Sequence, residues 1–356
     1  MKKILYIGWV GYRNLGDELM LDLFKQRLLA SGGEYQLEVQ NNEPGYMQDA
    51  SIEPYDCVVL GGGSILSGLM QVIDPVVINF LKQTIHLNKK LVIWGSGIDW
   101  LPHSSIAALQ RQEPVALDIP ESLVTTLREV FAHSVWAGVR GPYTQAILTQ
   151  LGVHNVQVSG DPGFLMTRTR DTGNETSERI IGVNWGTALN RIYGGDELRV
   201  EDQLAEALCR FASEGYAIYL YTMWNQDQTA INRLYHKISP NDKVIMDKKI
   251  YHQDDLISLI QSFDFTINLK LHANYLSVAA EVPFIALGYR FKVFDFAHSI
   301  GMEDYVISTN DPNLKDRMLE TAGQISAVRP HLVSLISHER QRYAGLIHAP
   351  FTLQLF

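Results

Sequence analysis

Residues 267–293, INLKLHANYLSVAAEVPFIALGYRFKV, concentrate the side chains best suited to chemistry. Lys270 and His272 follow one apolar run, residues 265–269; Tyr289, Arg290 and Lys292 follow the next. In open α/β sheets ligands sit at the carboxyl ends of the strands, so cations clustered there suit a small anionic ligand. A histidine between them, at the start of a helix, is a natural proton donor near neutral pH. A lone histidine is more often structural, but a strand tip beside Lys270 favours catalysis or direct ligand contact. Arg290 and Lys292 each read alternatively as solvated charges, though less readily both; Tyr289 is placed to orient either.

Three further groups lie at strand tips. Arg140, directly before Gly-Pro, could grip a carboxylate or phosphate bidentately, or brace a neighbour such as Asp161. Gly61-Gly62-Gly63-Ser64 and Gly95-Ser96-Gly97 read either as tight turns or as a shallow floor and anion-binding nest. The loop from Gly8 to Glu18 spaces its glycines as Gly-x-x-Gly-x-x-x-x-Gly, neither a dinucleotide fingerprint nor a P-loop. Glycines let a backbone approach a ligand, and a helix N-terminus offers N–H groups to an anion. Asp17 and Glu18 argue instead for a turn before a helix whose first turn they satisfy; the other reading has Asn14, Asp17 and Glu18 meeting a sugar hydroxyl or phosphate.

Metal chemistry finds little support, for histidines are not paired at helical spacing and no Cys-x-x-Cys occurs. Asp254 and Asp255 are more simply the cap and dipole partners of a helix over 256–261. No Gly-x-Ser-x-Gly elbow is present, which argues against covalent acyl catalysis.

The elements that must position these residues alternate along the chain. Strands are expected at 4–8, 57–60, 91–94, 134–139 and 156–159, with helices at 16–30, 75–87 and 143–151. After the polar run 168–179 the pattern restarts: strands at 180–183, 217–222 and 265–269, helices at 199–213 and 228–238. Short, continuously apolar strands separated by helices imply right-handed crossovers and mainly parallel sheets buried on both faces. The expectation is α/β: two Rossmann-like domains, 1–170 and 178–356, facing a cleft. The final helix, from 313 to about 347, should break near Pro330, and it is free to pack back on the first domain.

Composition agrees with a soluble enzyme. At 356 residues the prior is about two domains, at roughly 150 residues each. The hydrophobic share of 46% and charged share of 19% are those of an ordinary globular chain. A net charge of -9 argues against nucleic acid as partner, since phosphate backbones select basic faces. The two cysteines, Cys57 and Cys209, read as buried free thiols of a reducing cytosol. The apolar stretch at the N-terminus, about seven residues, is too short for a signal peptide and reads as a strand. No apolar run reaches the roughly 18–20 residues of a spanning helix, so a cytoplasmic protein is expected, with contact at the inner face of a membrane left open.

Taken in order, NLGDE (14–18), GGGS (61–64), GSG (95–97), VRGP (139–142), GDPGF (160–164) and KLHANYLSVAAEVPFIALGY (270–289) resemble the polysaccharide pyruvyl transferase family over roughly residues 4–308. The resemblance implies a bacterial transferase with a fold like that of two-domain GT-B glycosyltransferases. It implies that enolpyruvyl from phosphoenolpyruvate moves onto a sugar as a pyruvate ketal, with no cofactor beyond that donor. Arg140, Lys270 and Lys292, with Arg290 in support, would hold the anionic donor. His272 would protonate the methylene carbon, and a neighbouring phosphate would favour its imidazolium. The first domain, with NLGDE and GGGS on its acceptor side, would hold the sugar. Trp9, Trp94, Trp100 and Trp185 lie near strand ends, where they suit sugar rings or core packing. The family places arginine two residues before the histidine; Lys270 keeps the charge and loses the planar fork.

Rival readings are a GT-B glycosyltransferase using a nucleotide sugar, a nicotinamide oxidoreductase, disfavoured without Gly-x-Gly-x-x-Gly, and a non-catalytic glycan- or anion-binding relative. The acceptor itself is left open between a lipid-linked cell-wall sugar, a capsule or exopolysaccharide unit, and a smaller glycoside.

Overall fold

A computed structural model describes residues 1–12, 14–167, 179–238 and 243–356. The polar run read as a linker lies, except for Arg179, outside the described residues. The first sheet contains β1 (Lys2–Gly8), β2 (Tyr35–Asn41), β3 (Cys57–Leu60), β4 (Lys90–Ser96), β5 (Trp136–Val139) and β6 (Gln157–Val158), in the order β2-β1-β3-β4-β5-β6. The second contains β7 (Ile180–Asn184), β8 (Ala217–Tyr221), β9 (Val244–Asp247), β10 (Phe265–Asn268), β11 (Phe284–Gly288) and β12 (Val306–Ser308), in the order β12-β11-β10-β7-β8-β9. Every pairing is parallel. The order reverses between β1 and β3 in one sheet and between β7 and β10 in the other. Those are the switch points at which α/β sheets leave a crevice at their carboxyl ends.

Contacts along the chain define two compact units. The first comprises residues 1–13, 17–165 and 341–356; the second comprises 14–16 and 166–340. The last sixteen residues thus group with the first unit, and 14–16 with the second. The final helix, Leu314–Thr352, loses helical geometry at Val328 (φ -123, ψ 18), two residues before Pro330. Proline has no N–H to donate and its ring crowds the preceding turn, which breaks the ladder there. Within the first unit the end of this helix is core. The Trp94 Nε1–H donates to the Ile347 carbonyl at 2.8 Å, and Phe24 meets Trp94, Phe351 and Phe356 with ring centroids 5.2, 5.5 and 5.4 Å away.

Trp94 and Trp185 are fully buried, the latter donating to Glu201 at 2.9 Å, while Trp9 and Trp100 are half-buried. Cys57 is buried, and burial pushes its thiol up to about 12; Cys209, read as buried, is exposed. Among the described residues no helix is long and apolar enough to cross a membrane.

Candidate active site

The carboxyl edge at the β7/β10 switch point is built on a buried amide. Asn268, the last residue of β10, accepts from the Tyr221 hydroxyl at 3.0 Å and donates to Thr266 (2.9 Å), Asn274 (3.1 Å) and Ser277 (3.1 Å). All are enclosed, so the network fixes the strand end against the helix that follows, Leu271–Ala280. On the neighbouring strand Asn184 accepts from the Lys270 N–H at 3.1 Å. The Lys270 backbone is thus held at the helix start.

Its ammonium is held as well. Lys270 Nζ donates to the Thr187 carbonyl at 2.6 Å and lies 3.0 Å from Asp227 Oδ1. Asp227, wholly buried in the turn after β8, also accepts from the Thr187 N–H at 3.0 Å. Burial pushes its carboxyl above the usual range, against the pull of Lys270. Any side chain at Gly186 would overlap the carboxylate. The loop after β7 is braced from the other side by Glu197, which accepts from Thr187 Oγ1 (2.8 Å), Ala188 N (2.6 Å) and Asn190 N (3.0 Å).

His272, half-buried on the first turn of helix Leu271–Ala280, has the Tyr275 ring 5.9 Å away and lies against Gly16. Residues 14–16 reach it through the Leu15 N–H, which donates to the Met223 carbonyl at 3.4 Å. After β11 the chain runs extended through Arg290 into helix Phe291–Ser299, whose N-terminus has no side-chain cap. The Arg290 guanidinium and the Lys292 ammonium lie 5.0 and 5.4 Å from the ring centre of buried Tyr289. Both cations thus lie on one ring, beside the positive end of a helix. Since β10 and β11 are paired neighbours, Lys270, His272, Arg290 and Lys292 share one edge.

In the first unit the glycine-rich tips are not an open floor. Gly62, Gly63, Gly95 and Ser96 are buried. A Cβ on Gly62 would fall 2.6 Å from Pro162, and one on Gly95 2.7 Å from Pro162 and 2.9 Å from the Gly160 carbonyl. Their bareness lets residues 160–162 pack onto the tips. Ser96 Oγ donates to the Gly61 carbonyl and so joins the two tips. Arg140, expected to face a ligand, is completely enclosed: it donates to Ser64 Oγ at 3.2 Å and to the Ile98 carbonyl at 2.9 Å beneath Gly97. Asp161 accepts from the Gly163 N–H at 2.8 Å, bracing its own turn.

Asp17 and Glu18 lie in the first turn of helix Leu15–Ala30, and the loop before it is tied down locally. Asn14 Oδ1 accepts from the Gly16 N–H at 3.1 Å, Glu18 accepts from Gly11 at 2.7 Å, and Asp17 points toward Gly63. At the carboxyl end of β1 the rings of Trp9 and Tyr12 stack, 4.5 Å apart and 20° from parallel, both half-buried.

Sequence reasoning missed Asp227, Glu197 and Tyr12. Asp227 carried a usable signal, an acid in the short loop after a strand that ends on the same edge as Lys270. Among the described residues no group of three or more His, Cys, Asp or Glu is arranged to hold a metal ion.

Two parallel α/β units of this kind define the GT-B fold of glycosyltransferases and sugar epimerases. The S. aureus MnaA–UDP co-structure matches at TM-score 0.59 and 12% identity, over 100% of this chain and 98% of that one. Methanocaldococcus jannaschii UDP-GlcNAc 2-epimerase, in complex with UDP-GlcNAc and UDP, matches at TM-score 0.56 and 11% identity over 91% and 92%. The rhamnosyltransferase SpnG of spinosyn matches at 0.50 and 12% over 99% and 98%. At these identities the likeness is one of fold. The polysaccharide pyruvyl transferase family model matches residues 14–290, and the chain belongs to that family of transferases.

Proposed function

We propose that this chain moves the enolpyruvyl unit of phosphoenolpyruvate onto a glycan and closes it as a pyruvate ketal. The observation that carries the reading is the cationic edge of the second unit, with Arg290 and Lys292 on Tyr289 and His272 on the adjoining helix start. Arg290 and Lys292 hold the phosphate and carboxylate of the donor. Lys270, paired with Asp227, stands on the same edge and adds to the charge that faces the donor.

His272 gives a proton to the methylene carbon, and a sugar hydroxyl bonds to the adjacent carbon as that hydroxyl loses its proton. The bond to phosphate then breaks, and a second hydroxyl takes its place. One of the two hydroxyl protons restores His272 and the other leaves with the phosphate. The balance closes with donor and acceptor alone, so no further cofactor is invoked. General acid help of this kind is worth about 10²–10⁴-fold.

The acceptor side belongs to the first unit, where the stacked Trp9–Tyr12 pair offers an aromatic face for a sugar ring. Arg140 acts there by bracing Ser64 and the tip of β4. The acceptor is a glycan or its lipid-linked precursor, and the protein works in the cytoplasm.

The test is phosphate release from phosphoenolpyruvate across a panel of glycan acceptors, with UDP-sugars as parallel donors. Acceptor-dependent phosphate release, lost in His272→Ala, is expected. Turnover of a UDP-sugar, with phosphoenolpyruvate inert throughout, would replace this reading with that of a glycosyltransferase.

A further inference from the structure

Gly16 is the second residue of helix Leu15–Ala30, where glycine is otherwise a poor choice. It costs about 1 kcal/mol relative to alanine inside a helix, and its φ is not in the left-handed range that requires glycine. What it does is leave room. A Cβ built there would fall 2.5 Å from Cγ and 2.9 Å from Cβ of His272, and closer still to Nδ1. The overlap reaches the root of the side chain, so turning the imidazole about its outer bond does not relieve it. The segment is also anchored, by Asn14 accepting from the Gly16 N–H at 3.1 Å and by Leu15 donating to Met223.

We infer that Gly16 is a positioning residue for His272. Its bare Cα face lies against the imidazole and, with the Tyr275 ring also near, fixes the plane from which the ring delivers its proton. A segment near the start of the sequence thus completes the surroundings of a histidine more than two hundred residues away, within the same compact unit. The inference rests on the reading of His272 as the acid. A displacement of about 1 Å at such a group is enough to cost about 10²-fold in rate.

The experiment is a cycle of Gly16→Ala, His272→Ala and the double variant, with Gly323→Ala as a matched control in a helix where a Cβ meets nothing within 4 Å. Gly16→Ala should lower Tm by about 2–10 °C, as overpacking does. That loss should disappear in the His272→Ala background, where the ring is gone. Gly16→Ala should also shift the His272 ring resonances and lower kcat for phosphate release by about 10–100-fold, with KM for phosphoenolpyruvate little changed. Should Gly16→Ala fail to fold, recovery of folding in the double variant carries the same information. An equal Tm loss in both backgrounds, unmoved ring resonances, or a moved ring with unchanged kcat would each overturn the inference. Failure of the functional reading looks different: the wild type itself would release no phosphate, while the Tm cycle would still show coupling.

Discussion

Replacing Lys270 with methionine would leave the Asp227 carboxylate in a wholly buried position without its ammonium. Breaking a buried pair in this way costs about 3–5 kcal/mol, whereas replacing both members by apolar groups is often close to neutral. The loss should depend on pH in a definite direction. Burial already raises the folded-state pKa of Asp227, and removing Lys270 raises it further. A carboxyl raised on folding contributes stability that is fully present below its unfolded value and is lost as pH rises through the folded one. Lys270→Met should therefore match the wild type near the unfolded carboxyl range and fall progressively behind it toward neutral pH in denaturant titrations. Arg290→Ala and Lys292→Ala should act on the donor, each raising KM for phosphoenolpyruvate by about 10–100-fold, as loss of a charged ligand contact does. Trp9→Ala should raise KM for the acceptor and leave that for phosphoenolpyruvate alone. The cations after β10 and β11 were legible from sequence because a charge at the end of an apolar run has few structural explanations. The enclosure of Arg140 was not, since it depends on Ser64 and Ile98 folding over it from elsewhere in the chain.

At the level of elements, glycine substitutions separate packing from propensity. Gly95 has φ +74 at the irregularity where β4 changes register against β5, and a Cβ there would meet both Pro162 and the Gly160 carbonyl. Gly95→Ala should destabilise the first unit by at least about 1–3 kcal/mol, because backbone strain and overpacking act together. Gly323→Ala, exposed in the final helix, should stabilise by about 0.5–1 kcal/mol. Parallel denaturant curves with unchanged slope would establish both. The central strands were readable because burial on both faces makes them continuously apolar, as in CVVL of β3 and FIALG of β11. The edge strands β2, β9 and β12 were not. They are partly exposed, and β9 and β12 are also short, so YQLEVQN and VIMD carry no such run. Helix Phe291–Ser299 was missed for another reason: the charges that open it were read as ligands to an anion or as solvated charges, and not as the start of a helix.

For the molecule as a whole, the last sixteen residues matter out of proportion to their number. Tyr343, Ile347, Phe351 and Phe356 are buried in the first unit, and each such side chain contributes about 1.5–3 kcal/mol. Their sum is comparable to the 5–15 kcal/mol that typically separates folded from unfolded domains. A chain ending at residue 340 should therefore lose the cooperative unfolding of its first unit, with dye-binding apolar surface, while the second keeps its transition. Apart from residues 14–16, the second unit is one uninterrupted stretch of chain, 166–340, whereas the first closes only with 341–356. The order of synthesis is therefore not the order of completion. While the ribosome is still making the second unit, the first stands with the Phe24 and Trp94 face uncovered, and it can finish folding only once residues 341–356 have cleared the exit tunnel.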